Sequence, residues 1–177
     1  MAQSNFKLSA YDGAFFKKGD VFGVRFERIL DHPVEKVWQA LIEPEQLGVW
    51  LAPVKIEHRD GEGGDSGTIT VQMKGGTMGG KILQWRENQV LEYVWHDKSV
   101  VRWELLAEGK DRTRLVFTHT NVMESQLHGA ATGWHYHMDA LTIFLDGVPM
   151  PSFPKEAWED ISREAAERYT KMLKGLD

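Results

Sequence analysis

The 177-residue chain contains no cysteine. Disulfide bridges, thiolate metal sites and a cysteine nucleophile are therefore excluded. The chain also has no apolar run near the length of about 20 residues that a membrane-spanning helix needs. Its first residues, MAQSNFKLSAYDG, lack the basic and then apolar pattern of a secretory signal. Together these absences predict a cytoplasmic protein.

An excess of positive charge is also missing, because 21 Lys and Arg oppose 26 Asp and Glu for a net charge of −5. Nucleic acids and anionic membrane surfaces both attract proteins through basic patches. We therefore expect neither nucleic acid nor membrane as a partner. The hydrophobic fraction of 42% is typical of globular proteins, and the length predicts a single domain over residues 1–177.

Hydrophobic periodicity divides most of the chain into strands and helices, although residues 1–18 show no clear period. The predicted elements are a strand at 20–30, short helices at about 34–41 and 44–50, strands at about 54–58, 69–73, 81–86, 90–96, 99–107 and 112–120, a long helix at about 126–146 and a last helix at about 155–174. The strands are joined by short turns, of which the glycine-rich stretch 75–80 is one. Short turns indicate an antiparallel meander rather than helix-linked parallel strands.

The long helix is the most informative segment of the sequence. Trp134, Met138, Leu141 and Leu145 recur at the spacing of one helical face. A late, aromatic-rich amphipathic helix can lie across the preceding sheet. A cavity between helix and sheet is the kind of site that binds small apolar molecules.

This order of elements, together with four local motifs, resembles the START-like (SRPBCC) superfamily, whose fold is called a helix-grip. Within it the chain is most similar to the family named after the activator of the heat-shock chaperone ATPase. The motifs are FERILDHPVEKVWQALIEPEQLGVWLAP (26–53), GKILQWRENQVLEYVWHD (80–97), TRLVFTHTNV (113–122) and GWHYHMDALTIFLDG (133–147).

The resemblance covers about residues 20–147 and implies an α+β fold. A curved antiparallel sheet of about seven strands is expected to wrap around the long helix, with two short helices after the first strand. The C-terminal helix at about 155–174 lies outside the common pattern. Trp158, Tyr169 and Met172 on that helix need burial, either on the chain's own sheet or in a homodimer.

Strand parity indicates which side chains face the long helix. On three successive strands the inward parity carries Leu91, Tyr93 and Trp95, then Val101, Trp103 and Leu105, then Leu115, Phe117 and His119. The resemblance places Trp50 in a lid at one end of the cavity. The predicted ligand-binding residues are Trp50, Tyr93, Trp103, Phe117, His119, Trp134, His137 and Met138. The alternative is that these side chains fill the core and leave no void.

His119 and His137 are weak candidates for catalytic acid–base residues, because a neutral imidazole among apolar residues can move a proton near neutral pH. The alternative is that each is satisfied by a hydrogen bond to a neighbouring strand or tyrosine. No carboxylate is placed by the sequence to orient either ring. His135 and His137 are two residues apart on a helix, point to nearly opposite sides and cannot share a metal ion. We therefore expect no metal and no cofactor.

Three functions remain open at this point. The first is a protein that binds a small hydrophobic or aromatic ligand between sheet and helix. The second, implied by the resemblance, is an interaction module that activates a chaperone ATPase, with the heat-shock chaperone as partner. The third is an enzyme of the cyclase or dehydratase type that uses a cavity histidine. Fold resemblance alone does not separate them.

Overall fold

The computed structural model describes residues 8–58, 67–150 and 155–176, with side chains of the last helix described from residue 159. The elements are β1 (Ala14–Lys18), β2 (Val21–Leu30), α1 (Val34–Ile42), α2 (Pro44–Trp50), β3 (Val54–His58), β4 (Gly67–Met73), β5 (Gly76–Arg86), β6 (Val90–His96), β7 (Ser99–Ala107), β8 (Thr113–Val122), α3 (Leu127–Leu145) and α4 (Lys155–Leu173).

Within these ranges eight strands form one curved antiparallel sheet, in the order β1-β2-β8-β7-β6-β5-β4-β3. The early strand β2 pairs with the last strand β8, so that the sheet folds back on itself and leaves β1 and β3 at its edges. Helix α3 packs against β2 and β8 and also contacts α1, α2 and α4. The architecture confirms the predicted α+β helix-grip fold.

The sheet has eight strands where about seven were predicted, because β1 was not recognised in the sequence. Its sequence, AFFKK, lies at the sheet edge and pairs only with β2. An edge strand whose side chains are half-buried or exposed on both faces has no alternating pattern to detect. The sheet therefore begins at Ala14, before the predicted start of the helix-grip core at about residue 20.

The glycine-rich stretch predicted as a turn over 75–80 is mostly strand. The turn consists of Lys74 and Gly75 alone, and β5 begins at Gly76. Gly79 has φ +97°, and a Cβ there would collide with the carbonyl oxygen of Ile69 on β4. Glycine is needed here because two backbones approach closely, which is one of its roles inside a strand.

The inner face of the sheet has the predicted parity. All nine inward positions on β6, β7 and β8 are buried except Trp95, which is half-buried, and Trp134, Met138, Leu141 and Leu145 of α3 are buried against them. The outer face carries charged side chains among valines. Arg102 there lies 3.0 Å from Glu92 and 3.1 Å from Glu104.

The two short helices are held to each other by a tryptophan. Pro44 begins α2, and the Trp50 indole at its end donates a hydrogen bond of 2.9 Å to the carbonyl oxygen of Ala40 in α1. Trp85, whose facing was ambiguous in the sequence, packs its ring edge-on against Trp38 at 5.5 Å. Helix α1 is thereby attached to β5.

Helix α4 covers part of the chain's own body. It contacts α3 and β1, and its Ile161, Ala165 and Tyr169 side chains are buried. Met172 remains 37% exposed, and the Trp158 side chain lies outside the described residues. Intramolecular packing thus accounts for the burial of Tyr169, while the homodimer stays a prediction. No helix in the described part of the chain is long and apolar enough to cross a membrane.

Candidate functional site

A cavity of about 1500 Å³ opens at one end of the sheet, beside the N-terminal half of α3. Its walls come from the β4–β5 turn, the β6–β7 turn and the segment that joins β8 to α3. The volume exceeds the roughly 300–1,000 Å³ of typical ligand pockets, because it extends to an open mouth. Apolar side chains make up much of the wall: Phe22, Met73, Met78, Trp95, Ala130 and Trp134.

His119 lines this cavity and is only 5% exposed. The indole Nε1–H of Trp134 donates a 3.1 Å hydrogen bond to its Nδ1 atom. Because an indole can only donate, Nδ1 must be the accepting nitrogen and the proton of the neutral ring sits on Nε2. That Nε2 is buried and has no hydrogen-bond partner among the residues with described positions.

Burial keeps the His119 ring neutral. Desolvation lowers the pKa of His119 to about 4, because the imidazolium form would lose its hydration. The ring therefore presents one fixed N–H donor at neutral pH and no charge.

His137 also lines the cavity, with the opposite tautomer. Its Nδ1 lies 3.2 Å from the carbonyl oxygen of Trp50, and a carbonyl can only accept, so Nδ1 carries the proton. Desolvation lowers the pKa of His137 to about 4, although the bond to this carbonyl partly opposes the shift. The lone pair on Nε2 is left without a partner among the described side chains.

Three of the eight predicted ligand-binding residues line the cavity, namely His119, Trp134 and His137. The other five are buried in the layer beneath: Trp50, Tyr93, Trp103, Phe117 and Met138. The Phe117 ring lies 4.4 Å from the rings of both Trp103 and Trp134, so this layer supports the cavity floor. Direct ligand contact by the five buried residues stays a prediction.

Sequence reasoning missed several wall residues. Trp95 shares the inward parity of Tyr93 and lies 4.8 Å from the Trp134 ring, so parity could have added it to the predicted site. Met73, Met78 and Gly133 had no such signal. Their place depends on which strand ends and which turn of α3 surround the opening, and periodicity does not encode that.

His135 lies on the other side of α3, in a buried polar cluster that the sequence did not predict. Its Nδ1 is 2.8 Å from the Tyr169 hydroxyl, which also accepts a 3.0 Å bond from the Gly13 N–H. Its Nε2 is 3.2 Å from Ser9 Oγ, and Ser9 Oγ donates to Asp139 Oδ1 at 2.7 Å. The donors and acceptors form one consistent chain when His135 is neutral with its proton on Nε2.

Charged groups complete this polar cluster. Arg28 lies 3.3 Å from Asp139, and both side chains are under 10% exposed. Arg168 donates to the Ser9 carbonyl at 2.7 Å and pairs with Asp12 at 3.1 Å. Desolvation lowers the pKa of His135, opposed by the nearby Asp139 carboxylate.

The cluster contains a serine, a histidine and an aspartate but is not arranged for nucleophilic catalysis. Ser9 donates its hydroxyl proton to Asp139, whereas an activated serine donates to the histidine. Both ring nitrogens of His135 are occupied by protein groups. We conclude that the cluster joins the N-terminal segment and α4 to α3.

Comparison with known proteins identifies the family. The sequence profile described as "Activator of Hsp90 ATPase homolog 1-like protein" matches residues 31–146, about two thirds of the chain. The chain belongs to this family. The resemblance stated from the sequence is thereby confirmed. None of the curated proteins matches the chain.

Several solved structures are also similar to this chain in fold. CalU16 from Micromonospora echinospora is 26% identical, with a TM-score of 0.74 over 93% of this chain and 99% of that one. EF2215 from Enterococcus faecalis, described as a conserved protein of unknown function, is 18% identical, with a TM-score of 0.72 over 90% of this chain and 91% of that one. DynU16, from the dynemicin biosynthetic locus, is 18% identical, with a TM-score of 0.61 over 73% and 49%.

Proposed function

We propose that this family member binds a small, apolar or aromatic molecule in the cavity between the sheet and α3. The observation that supports the proposal is the cavity of about 1500 Å³, walled by Trp95 and Trp134 and lined by two neutral histidines. Protein interiors are close-packed by default, so an aromatic-lined opening of this size is a candidate binding site.

The wall chemistry favours an apolar occupant. Trp95 and Trp134 lie 4.8 Å apart with their rings inclined by 57°, and they offer apolar surface to whatever enters. Met73 on β4 and Met78 on β5 also line the cavity. Flexible thioether side chains adapt to ligands of different outline. Burial of an apolar ligand here is worth roughly 25 cal/mol per Å² removed from water.

A matched pair of glycine variants tests this proposal. Gly133 on α3 lines the cavity, and Gly48 on α2 does not, and a Cβ at either position meets nothing within 4 Å. Gly133→Phe projects a ring into the cavity, whereas Gly48→Phe adds the same ring elsewhere. The probe is N-phenyl-1-naphthylamine, a neutral dye whose fluorescence rises in apolar sites.

We expect saturable dye binding to the parent and to Gly48→Phe, and at least about tenfold weaker binding to Gly133→Phe, since tenfold corresponds to about 1.4 kcal/mol of lost contact. Dye binding that is absent in the parent, or unchanged in Gly133→Phe, would contradict the proposal. Circular dichroism of both variants checks that the fold is retained.

A second candidate, an enzyme of the cyclase or dehydratase type, draws on the opposite tautomers of His119 and His137, one a donor and the other an acceptor. Its weakness is the basicity of these rings. A base with a pKa of about 4 is a poor proton acceptor at neutral pH, because catalytic bases work best with a pKa near the operating pH. Binding is therefore the favoured function. The chaperone interaction stays a prediction, tested by stimulation of the chaperone ATPase.

A further inference from the structure

His119, which lines the cavity, carries a buried hydrogen-bond donor that nothing in the described protein satisfies. The Nε2–H of His119 has no hydrogen-bond partner among the residues that the structure describes, and the residue is only 5% exposed. Buried polar groups are nearly always hydrogen-bonded, because an unmade bond costs free energy relative to water. An acceptor atom of a ligand would satisfy this donor.

Trp134 fixes the direction of that donor. Its indole N–H occupies Nδ1 of His119, so the remaining nitrogen of the neutral ring must carry the proton. If the ring flipped about its Cβ–Cγ bond, the indole N–H would face a carbon atom and lose its acceptor. Tautomer and orientation are thus determined by one tryptophan.

We propose that the ligand is an uncharged aromatic molecule with a carbonyl-type oxygen, a ketone or a quinone, that accepts a hydrogen bond from Nε2–H of His119. This inference rests on the proposed function, since it concerns the occupant of the same cavity. His119 is then the residue that determines specificity for oxygenated over plain aromatic ligands.

The charges around the cavity argue for an uncharged ligand. Asp20, Lys74, Asp97, Lys98 and Glu124 also line the cavity, but all five are exposed and therefore belong to its mouth. The deep wall is made of aromatic rings and neutral imidazoles. A carboxylate placed there would lose hydration without a cation to compensate, and an ammonium group would lose hydration without an anion to compensate.

A pair of probes of nearly equal shape isolates the carbonyl. 2-Acetylnaphthalene and 2-ethylnaphthalene differ by a carbonyl oxygen in place of two hydrogens, and each is measured by displacement of N-phenyl-1-naphthylamine. The quantity of interest is the ratio of their two dissociation constants, compared between the parent and His119→Leu. Comparing ratios removes the difference in hydrophobicity between the probes.

We expect the preference for the acetyl compound to fall about tenfold in His119→Leu, the effect of losing one buried hydrogen bond. His119→Gln keeps an N–H donor near the Nε2 position and should retain part of the preference. 2-Naphthylmethylamine, a cation at neutral pH, should displace the dye least well.

Nitrogen-15 NMR of the parent protein gives a readout that does not depend on a variant's folding. 2-Acetylnaphthalene should move the Hε2 resonance of His119 downfield, and 2-ethylnaphthalene should leave it in place. If the dye and both naphthalenes fail to bind, the proposed function and this inference both fall. If both bind and neither the ratio nor the Hε2 resonance responds to the carbonyl, only this inference falls.

Discussion

Histidines lie on two sides of helix α3, with His135 on one side and His137 together with His119 of β8 on the other, and the two sides differ in how their ring nitrogens are hydrogen-bonded. Around His135 every ring nitrogen has a protein partner, and the hydrogen bonds run without interruption from Gly13 to Asp139. On the other side, only one nitrogen of His119 and one of His137 has a hydrogen-bond partner within the described part of the chain. A satisfied network fixes structure, whereas unsatisfied groups beside an open volume are available to a ligand.

The largest expected loss of stability comes from removing a charged group from the polar cluster around His135. Asp139→Ala leaves Arg28 buried without its carboxylate and removes the acceptor of both Ser9 bonds. Breaking a buried ion pair from one side costs about 3–5 kcal/mol. We expect a loss of that order in the free energy of unfolding measured with urea.

Glu92→Ala is the matched control for Asp139→Ala. It removes the partner of Arg102 on the outer face of the sheet, where the two side chains are 20% and 27% exposed. Exposed pairs contribute at most about 1 kcal/mol. Equal losses in the two variants would mean that the polar cluster is no more important to stability than the surface.

Acid should destabilise the folded protein through His119, which lines the cavity. The pKa of His119 is about 4 in the folded protein, below its ordinary value near 6.5, so the unfolded chain binds more protons between these values. The stability that depends on a neutral His119 is therefore fully present above about pH 6.5, and it is lost as the pH falls toward 4. For His119 the full loss is about 3 kcal/mol, at about 1.4 kcal/mol per pKa unit.

The measurement is the urea midpoint between pH 8 and pH 4, for the parent and for His119→Gln. We expect a shallower decline in the variant, because one proton-linked group is gone. A variant whose decline matches that of the parent would show that His119 is not desolvated in the folded protein.

A smaller loss of stability is expected when the Tyr169 hydroxyl, which is hydrogen-bonded to His135, is removed. Tyr169→Phe removes a donor to His135 and an acceptor for the Gly13 N–H while keeping the buried ring. Leaving buried groups unsatisfied costs about 1–3 kcal/mol. The variant should unfold at lower urea concentration yet bind N-phenyl-1-naphthylamine as the parent does. Weakened dye binding would indicate that the two sides of α3 are coupled.

The contrast between the two sides was only partly predictable from the sequence. Helical geometry was enough to separate His135 from His137, and strand parity was enough to place His119 on the inner face. The polar cluster could not be predicted, because Ser9 lies 126 residues before His135 and in a segment with no periodicity. Hydrogen bonds between residues so far apart in sequence depend on how the helices and strands pack in the folded chain.

Of the predicted site residues, His119, Trp134 and His137 line the cavity, and the other five lie in the layer beneath it. Parity distinguishes the inner from the outer face, and it therefore selected Trp103 and Phe117 together with His119. It does not say where along a strand the helix stops filling the space. In the folded chain Trp103 and Phe117 are packed beneath Trp134, and the opening begins at the level of His119.

The smallest expected effect concerns the glycine of the cavity wall. Gly133 lies inside α3, where glycine is less favourable than alanine by about 0.5–1 kcal/mol, and a Cβ there meets nothing within 4 Å. Gly133→Ala should therefore raise the free energy of unfolding by about that amount, and Gly48→Ala in α2 serves as the control for helix propensity alone. A single methyl in a cavity of about 1500 Å³ should leave dye binding nearly unchanged. If Gly133→Ala lowers the free energy of unfolding while Gly48→Ala raises it, the space beside Gly133 is filled in solution. The cavity side of α3 would then be packed as closely as the His135 side.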